Sequence, residues 1–174
     1  MTDLIGITGT RQEPSPGQHR ALWLLLDELL VPGIQLAHGS CKGFDELAHR
    51  FAMGLGYTVH VLPGSSPQWV ADCEGHFVYP RAPNLVRDKR IVGMCTRLIA
   101  GPSGPEAAHP GSGTWATVRM ARREGKPVTL IWPDGRVEQE ASDGATSDGD
   151  RGQRDEPDSL DAGAVTDWRS GASQ

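Results

Sequence analysis

Short apolar runs that end in glycine or a turn alternate along this chain with segments whose apolar residues recur every three or four positions, and that alternation constrains the fold most. Leu4-Ile5-Gly6-Ile7-Thr8-Gly9 reads as a buried strand feeding a tight loop. Ser15-Pro16 is a helix-start signal, and Ala21, Leu22, Leu25, Leu26 and Leu29 keep helical spacing until Pro32-Gly33 stops them. Ile34 to Ala37 is a second strand. Phe44, Leu47, Ala48, Phe51, Ala52 and Leu55 form a helical stripe closed by Gly56, and Tyr57 to Leu62 is a third strand. The pattern resumes with a helix over Asn84 to Cys95, a strand at Arg97 to Ala100, a helix from Thr114 to Glu124 closed by Gly125, and a strand at Val128 to Ile131.

Strands that alternate with helices pair in parallel, because each helical crossover carries the chain back to start the next strand from the same end. The expected fold class is therefore α/β: a Rossmann-like three-layer sandwich around a mainly parallel sheet of about five strands. Ligands of such sheets sit at the carboxyl ends of the strands where the strand order reverses, which directs attention to the loops after the first, second and fourth predicted strands. The connection from Pro63 to Pro83 is longer than a crossover needs, so it is either a functional loop or holds a short element of its own.

The 174 residues, 37% of them hydrophobic, suit one core, and residues 1–137 are assigned to it. Residues 138–174 carry ten acidic residues against three arginines and few large apolar side chains, with Trp168 as the one candidate anchor. This acidic tail is expected to be disordered. It accounts for the net charge of -5, leaving twelve acidic and fourteen basic residues in the front part. That weakly basic balance suits a small anion and falls short of the stripe expected for gripping duplex DNA. Cys41, Cys73 and Cys95 are odd in number and form no C-x-x-C, which fits a reducing compartment. No charged-then-apolar leader precedes Leu4, and the apolar run Ala21 to Val31 is broken by Asp27 and Glu28, so a cytoplasmic protein with no membrane partner is expected.

Three loops and one helix carry candidate chemistry. Pro110-Gly111-Ser112-Gly113-Thr114 opens a helix, where glycines let backbone approach a phosphate and free N–H groups and the helix dipole favour an anion. Taken alone, it is as consistent with a flexible turn and an ordinary Thr114 N-cap. No Lys-Ser/Thr pair follows the glycines, so it is not a P-loop. The loop His38-Gly39-Ser40-Cys41-Lys42-Gly43-Phe44-Asp45 joins a strand to a helix; Ser40 and Lys42 are candidate phosphate contacts, and Asp45 either caps the helix, the simpler role, or accepts from a ribose hydroxyl. Gly9-Thr10-Arg11 offers an arginine fork. Arg87 and Arg90 lie three apart on a predicted helix and so share a face. The pairs His38-x-x-Cys41 and Cys73-x-x-His76 have zinc-type spacing, but nothing in the sequence brings them together; no metal and no cofactor are assigned, and no catalytic residue is identified.

In their order and spacing, these pieces resemble the superfamily that joins DNA-processing protein A with the Lonely Guy phosphoribohydrolases, often called SLOG, and within it the small YspA-type proteins of bacteria and phages. The resemblance spans about residues 3–132 and rests on Gly6-Ile7-Thr8-Gly9-Thr10-Arg11, Gly39-x-x-x-Gly43-x-Asp45-x-x-Ala48, Trp69, Asn84-x-x-Arg87-Asp88-Lys89-Arg90-Ile91-Val92 and Gly111-x-Gly113-Thr114. It implies a Rossmann-like sheet, frequent homodimerisation, and a ligand site made of the loop ending in Gly113-Thr114, the Gly39–Asp45 loop and the arginine-bearing helix; with the first loop added, the candidate ligand-binding residues are Gly9, Thr10, Arg11, Gly39, Ser40, Lys42, Gly43, Asp45, Arg87, Arg90, Gly111, Ser112, Gly113 and Thr114.

The leading functional expectation is binding or sensing of a nucleotide or nucleotide-derived ligand. Hydrolysis of a nucleoside monophosphate at its N-glycosidic bond is an alternative. The Lonely Guy enzymes, however, follow their Gly-Thr with a leucine and paired glutamates, where this chain has Trp115-Ala116-Thr117. The carboxylate that would stabilise an oxocarbenium-like centre and activate water is missing from that place, with Asp45 or Glu106 as substitutes. Single-strand DNA binding through Arg87, Lys89, Arg90, Arg119, Arg122 and Arg123 is a further alternative, which the acidic tail disfavours.

Overall fold

The computed structural model describes residues 3–140. The elements follow the order β1 (Leu4–Gly9), α1 (Pro16–Glu28), β2 (Gln35–His38), α2 (Phe44–Leu55), β3 (Thr58–Val61), β4 (Phe77–Val78), α3 (Asn84–Met94), β5 (Arg97–Gly101), α4 (Gly113–Arg123), β6 (Val128–Ile131) and β7 (Val137–Glu140). They form one seven-stranded sheet in the order β4-β3-β2-β1-β5-β6-β7. All pairings are parallel except the β6–β7 hairpin.

The expected α/β class holds, and the strand count rises from about five to seven for two reasons. The long connection contains a 3₁₀ turn at Pro67–Trp69 and then the two-residue edge strand β4, too short to leave a period-2 signal. At the other edge β7 alternates exposed and half-buried residues, of which Val137 alone is apolar, so it carries no alternating apolar signature. The sheet thus runs three residues beyond the expected boundary at 137, to Glu140; the rest of the acidic tail, Trp168 included, lies outside the described residues.

Helices α1 and α2 cover one face. Leu22, Leu25 and Leu26 of α1 and Phe44, Leu47, Ala48 and Ala52 of α2 pack with Ile5, Ile7, Leu36 and Val59 of the sheet. On the other face, Val92 of α3 and Trp115, Val118 and Ala121 of α4 cover Leu98, Ala100, Val128 and Leu130. Burying each such leucine, isoleucine or phenylalanine contributes about 1.5–3 kcal/mol, so the helical stripes dictate which face each helix presents. No helix of the described residues is long and apolar enough to cross a membrane.

Specific polar links fix where the helices begin. Ser15 and Gln18 make a capping box at the start of α1. The buried Gln18 amide also donates to the Pro102 and Ile131 carbonyls at 2.9 and 3.0 Å, tying α1 to the carboxyl ends of β5 and β6. From β1 the chain builds outward through β2, β3 and β4, then returns to lay β5, β6 and β7 on the other side. The order therefore reverses between β1 and β5, where two diverging loops leave a crevice.

Candidate functional site

A cleft of about 520 Å³ opens at that reversal. Gly9, Thr10 and Arg11 form its floor after β1; Gly39, Cys41 and Asp45 form one wall; Asn84, Arg87 and Asp88 of α3 form another; and Gly111, Ser112, Gly113 and Thr114 close it at the amino end of α4. Four separate segments named from the sequence thus meet in one place. Ser40, Lys42, Gly43 and Arg90 do not line the cleft.

Those four sit elsewhere for definite reasons. Ser40 is buried with φ 53°, and its hydroxyl donates to the Ala71 carbonyl at 2.9 Å while its own carbonyl accepts from Ala71 N–H at 2.7 Å. It braces the loop against the Pro63–Pro83 connection, as does Lys42, whose N–H donates to the Trp69 carbonyl at 2.9 Å while its side chain is exposed. Gly43 has φ 90° and packs so closely on the Thr10 and Gln12 carbonyls that a Cβ would overlap them. Arg90 is exposed on the outer side of α3. Arg87 is buried because it lies four residues before buried Ile91, one turn along the packed side, and a single turn places Arg90 beyond the rim.

Helix α4 starts differently from expectation. Its N-cap is Ser112, not Thr114, and the Ser112 side chain makes no capping hydrogen bond. The first N–H groups of the helix, at Gly113 and Thr114, therefore face the cleft without a side-chain cap, where the helix dipole adds partial positive charge. Cβ atoms added at Gly111 or Gly113 would meet nothing within 4 Å. The loop before the helix is held by Trp115, whose Nε1 donates to the Gly104 carbonyl at 3.1 Å. Glu106 does not enter the cleft: it forms ion pairs with Arg119 at 2.9 Å and Arg122 at 3.0 Å, and Arg122 also pairs with Glu140 at 2.7 Å.

The opposite wall is a buried charge cluster. Arg87, Asp45 and Asp88 are 4%, 4% and 7% exposed. Arg87 Nη1 donates to the Gly39 carbonyl at 2.6 Å and lies 3.4 Å from the Cys41 thiol, so closely that a Cβ on Gly39 would overlap the guanidinium. Asp45 is not a helix cap, since Gly43 holds that position; one of its oxygens accepts from the Gly39 and Cys41 N–H groups at 3.1 and 3.2 Å. Burial pushes the Asp45 carboxyl up to about 6, against the pull of Arg87 and those two N–H groups. Arg11, exposed, lies with its guanidinium 5.4 Å from the Trp69 ring, which joins the long connection to the cleft's floor.

The four residues of the zinc-type pairs do not form one group among the described residues: His38 and Cys73 approach each other, but His76 Nδ1 accepts from Val59 N–H at 3.1 Å. A different trio, His38, His49 and Cys73, has its donor atoms within 4.8 Å of one another. Hydrogen-bond polarity argues against its use as a metal site. Ser40 N–H donates to His38 Nδ1 at 3.0 Å, so neutral His38 carries its proton on Nε2, which donates to His49 Nδ1 at 3.0 Å. A metal on that nitrogen would require an imidazolate or the loss of the Ser40 contact.

His38 is fully buried, and burial, with the charges of His49 and Arg87, lowers its pKa to about 3. Unfolded, it would take up a proton below about pH 6.5; folded, it resists, so its contribution to stability is lost as pH falls from 6.5 toward 3. Asp45 has the opposite sign, because its raised pKa favours the folded state at low pH and that advantage is lost as pH rises from about 4 to about 6. The two slopes cancel in that window. Asp45→Asn is expected to expose the histidine's effect, steepening the fall of stability by about 1.4 kcal/mol per pH unit between pH 6 and 4, read from urea midpoints at pH 4, 5 and 6.

No protein-family model matches the chain, and no curated protein matches it. Solved structures do. The molybdenum cofactor binding protein from Rippkaea orientalis superposes with a TM-score of 0.59 at 20% identity over 76% of this chain and 77% of that one. DNA processing protein A from Helicobacter pylori gives 0.57 at 18% over 74% and 64%, and the molybdenum cofactor carrier protein from Chlamydomonas reinhardtii 0.53 at 24% over 75% and 76%. The chain shares the Rossmann-like fold of these proteins. Cys41, Asn84, Asp88 and Ser103 also line the cleft, although the sequence did not mark them as ligand contacts. For Asp88 a signal existed: it lies four residues before buried Val92, as Arg87 lies four before Ile91.

Proposed function

We propose that the cleft binds a nucleotide or nucleotide-derived ligand, its phosphate seated on the N–H groups of Gly113 and Thr114. The observation that carries this reading is the meeting of an uncapped helix amino end with a buried arginine across one cleft. Backbone N–H groups and the helix dipole attract an anion, and Arg87, held by the Gly39 carbonyl, is preorganised beside it. Proteins of this fold described as binding the molybdenum cofactor or single-stranded DNA give the reading a context in which phosphate-bearing ligands recur. Such a protein would work in the cytoplasm, where its three cysteines persist as thiols.

Binding of single-stranded DNA along α4 is the weaker reading, because Arg119 and Arg122 are already engaged by Glu106 and Glu140. Calorimetry of the full chain against nucleoside mono- and diphosphates, ADP-ribose, cyclic dinucleotides and an oligodeoxynucleotide is the test. A small-molecule ligand should bind with a dissociation constant that changes little with salt. Heat only from the oligonucleotide, vanishing at modest salt, would replace this reading with nonspecific polyanion attraction.

A further inference from the structure

A site for phosphate alone has no use for buried carboxylates, because each repels the anion. This cleft holds two, Asp45 and Asp88. Asp45 is engaged by the loop N–H groups it organises. Asp88 is less committed. Arg87 Nε lies 2.6 Å from its Oδ1, yet the Nε hydrogen is not directed at that oxygen and finds no other partner. The Thr117 hydroxyl beside it donates instead to the Gly113 carbonyl at 2.9 Å, and Arg11 adds a second positive charge nearby. A carboxylate accepts about four hydrogen bonds, so Asp88 retains acceptor capacity beside the cleft.

Position narrows the chemistry. Asp88 lines the same cleft as Gly113 and Thr114, and it neighbours Thr117, one helical turn along α4 from the proposed phosphate seat. Arg87 already supplies the compensating positive charge, so the donor suited to Asp88 is a neutral hydroxyl rather than an ammonium group, which the guanidinium would repel.

Resting on the phosphate reading above, we infer that Asp88 is a specificity-determining residue that accepts from the ribose hydroxyls of a ribonucleoside 5′-phosphate. The carboxylate facing the sugar then comes from α3. This arrangement selects ribonucleotides over their 2′-deoxy counterparts and over free phosphate.

Calorimetry with AMP, GMP, CMP and UMP, their 2′-deoxy counterparts and inorganic phosphate tests the inference on the full chain. The preferred ribonucleotide should bind at least about tenfold more tightly than its 2′-deoxy form, the loss expected for one hydrogen bond to a charged group. Asp88→Asn keeps the side-chain shape and should shrink that preference to less than about threefold, while the affinity for inorganic phosphate should not fall, because a charge that repels the anion has been removed. Equal binding of ribo- and deoxy-forms by the unaltered protein, a comparison that needs no variant, would overturn the inference and leave the phosphate reading standing. Undiminished discrimination in Asp88→Asn would overturn it equally. Absence of binding by every phosphate compound would instead remove the phosphate reading, and this inference with it.

Discussion

Arg87→Ala should cost the fold about 3–5 kcal/mol and abolish ligand binding together, because one guanidinium holds the wall of the cleft and balances the charge behind it. Its removal leaves Asp88 and Asp45 as buried carboxylates without their cation and strips the Gly39 carbonyl of its donor. Burial already raises the pKa of Asp88 despite the pull of Arg87, so without the arginine both carboxyls would sit still higher. The loss should therefore be largest near neutral pH and shrink toward pH 4, where protonation relieves the unpaired charge. Arg87→Lys sharpens the expectation: it restores a cation near Asp88 but not the fork that reaches both Gly39 and Asp88, so it should recover part of the stability and little of the binding. Urea midpoints at pH 4 and 7, with calorimetry at pH 7, check both parts. A loss below about 1 kcal/mol at pH 7 would mean that water or a neighbouring side chain compensates for the guanidinium.

Gly113→Leu should have the converse profile. A Cβ there meets nothing within 4 Å, and the residue is not held at positive φ, so the fold places no demand for glycine at this position. Stability should be unchanged or higher by up to about 1 kcal/mol, since leucine favours the helix that glycine opposes. The side chain would project into the space assigned to the phosphate and block the N–H groups of Gly113 and Thr114. Nucleotide affinity should fall by about a hundredfold or more, the worth of one to two charge-assisted hydrogen bonds. Thermal unfolding and calorimetry on the same sample separate the effects: a lowered Tm would assign Gly113 to the fold, and intact binding would move the phosphate elsewhere. Gly101 makes a useful contrast, because there a Cβ would overlap the Phe44 ring and the need for glycine is one of packing.

The two arginines on α3 mark where sequence reasoning stopped. A three-residue spacing on a helix makes Arg87 and Arg90 neighbours, and this is true of the helix by itself. Whether both enter the cleft depends on how α3 lies against β1 and β2, and Ile91 and Val92 set that orientation by burying their own turn. Asp88, next to Arg87 in the chain and not named as a ligand contact, was carried inward by the same rotation. In the Gly39–Asp45 segment, Ser40 and Lys42 read as phosphate contacts, yet they are held by Ala71 and Trp69. Contacts spanning some thirty residues leave no trace in the local pattern.

The sequence alone determined the layers: alternation of short apolar runs with helical stripes implies a parallel sheet covered on both faces, and glycine-ended strands mark the edge where a ligand would sit. Those features are local, set by the two- and 3.6-residue periods of strand and helix. Only the tertiary structure decided which side chains of each loop face the cleft, that Asp45 organises a loop instead of capping a helix, and that Asp88 stands beside the amino end of α4. Each of these depends on the angle at which one packed element meets another, and that angle is set by side chains distant in the chain filling a common core.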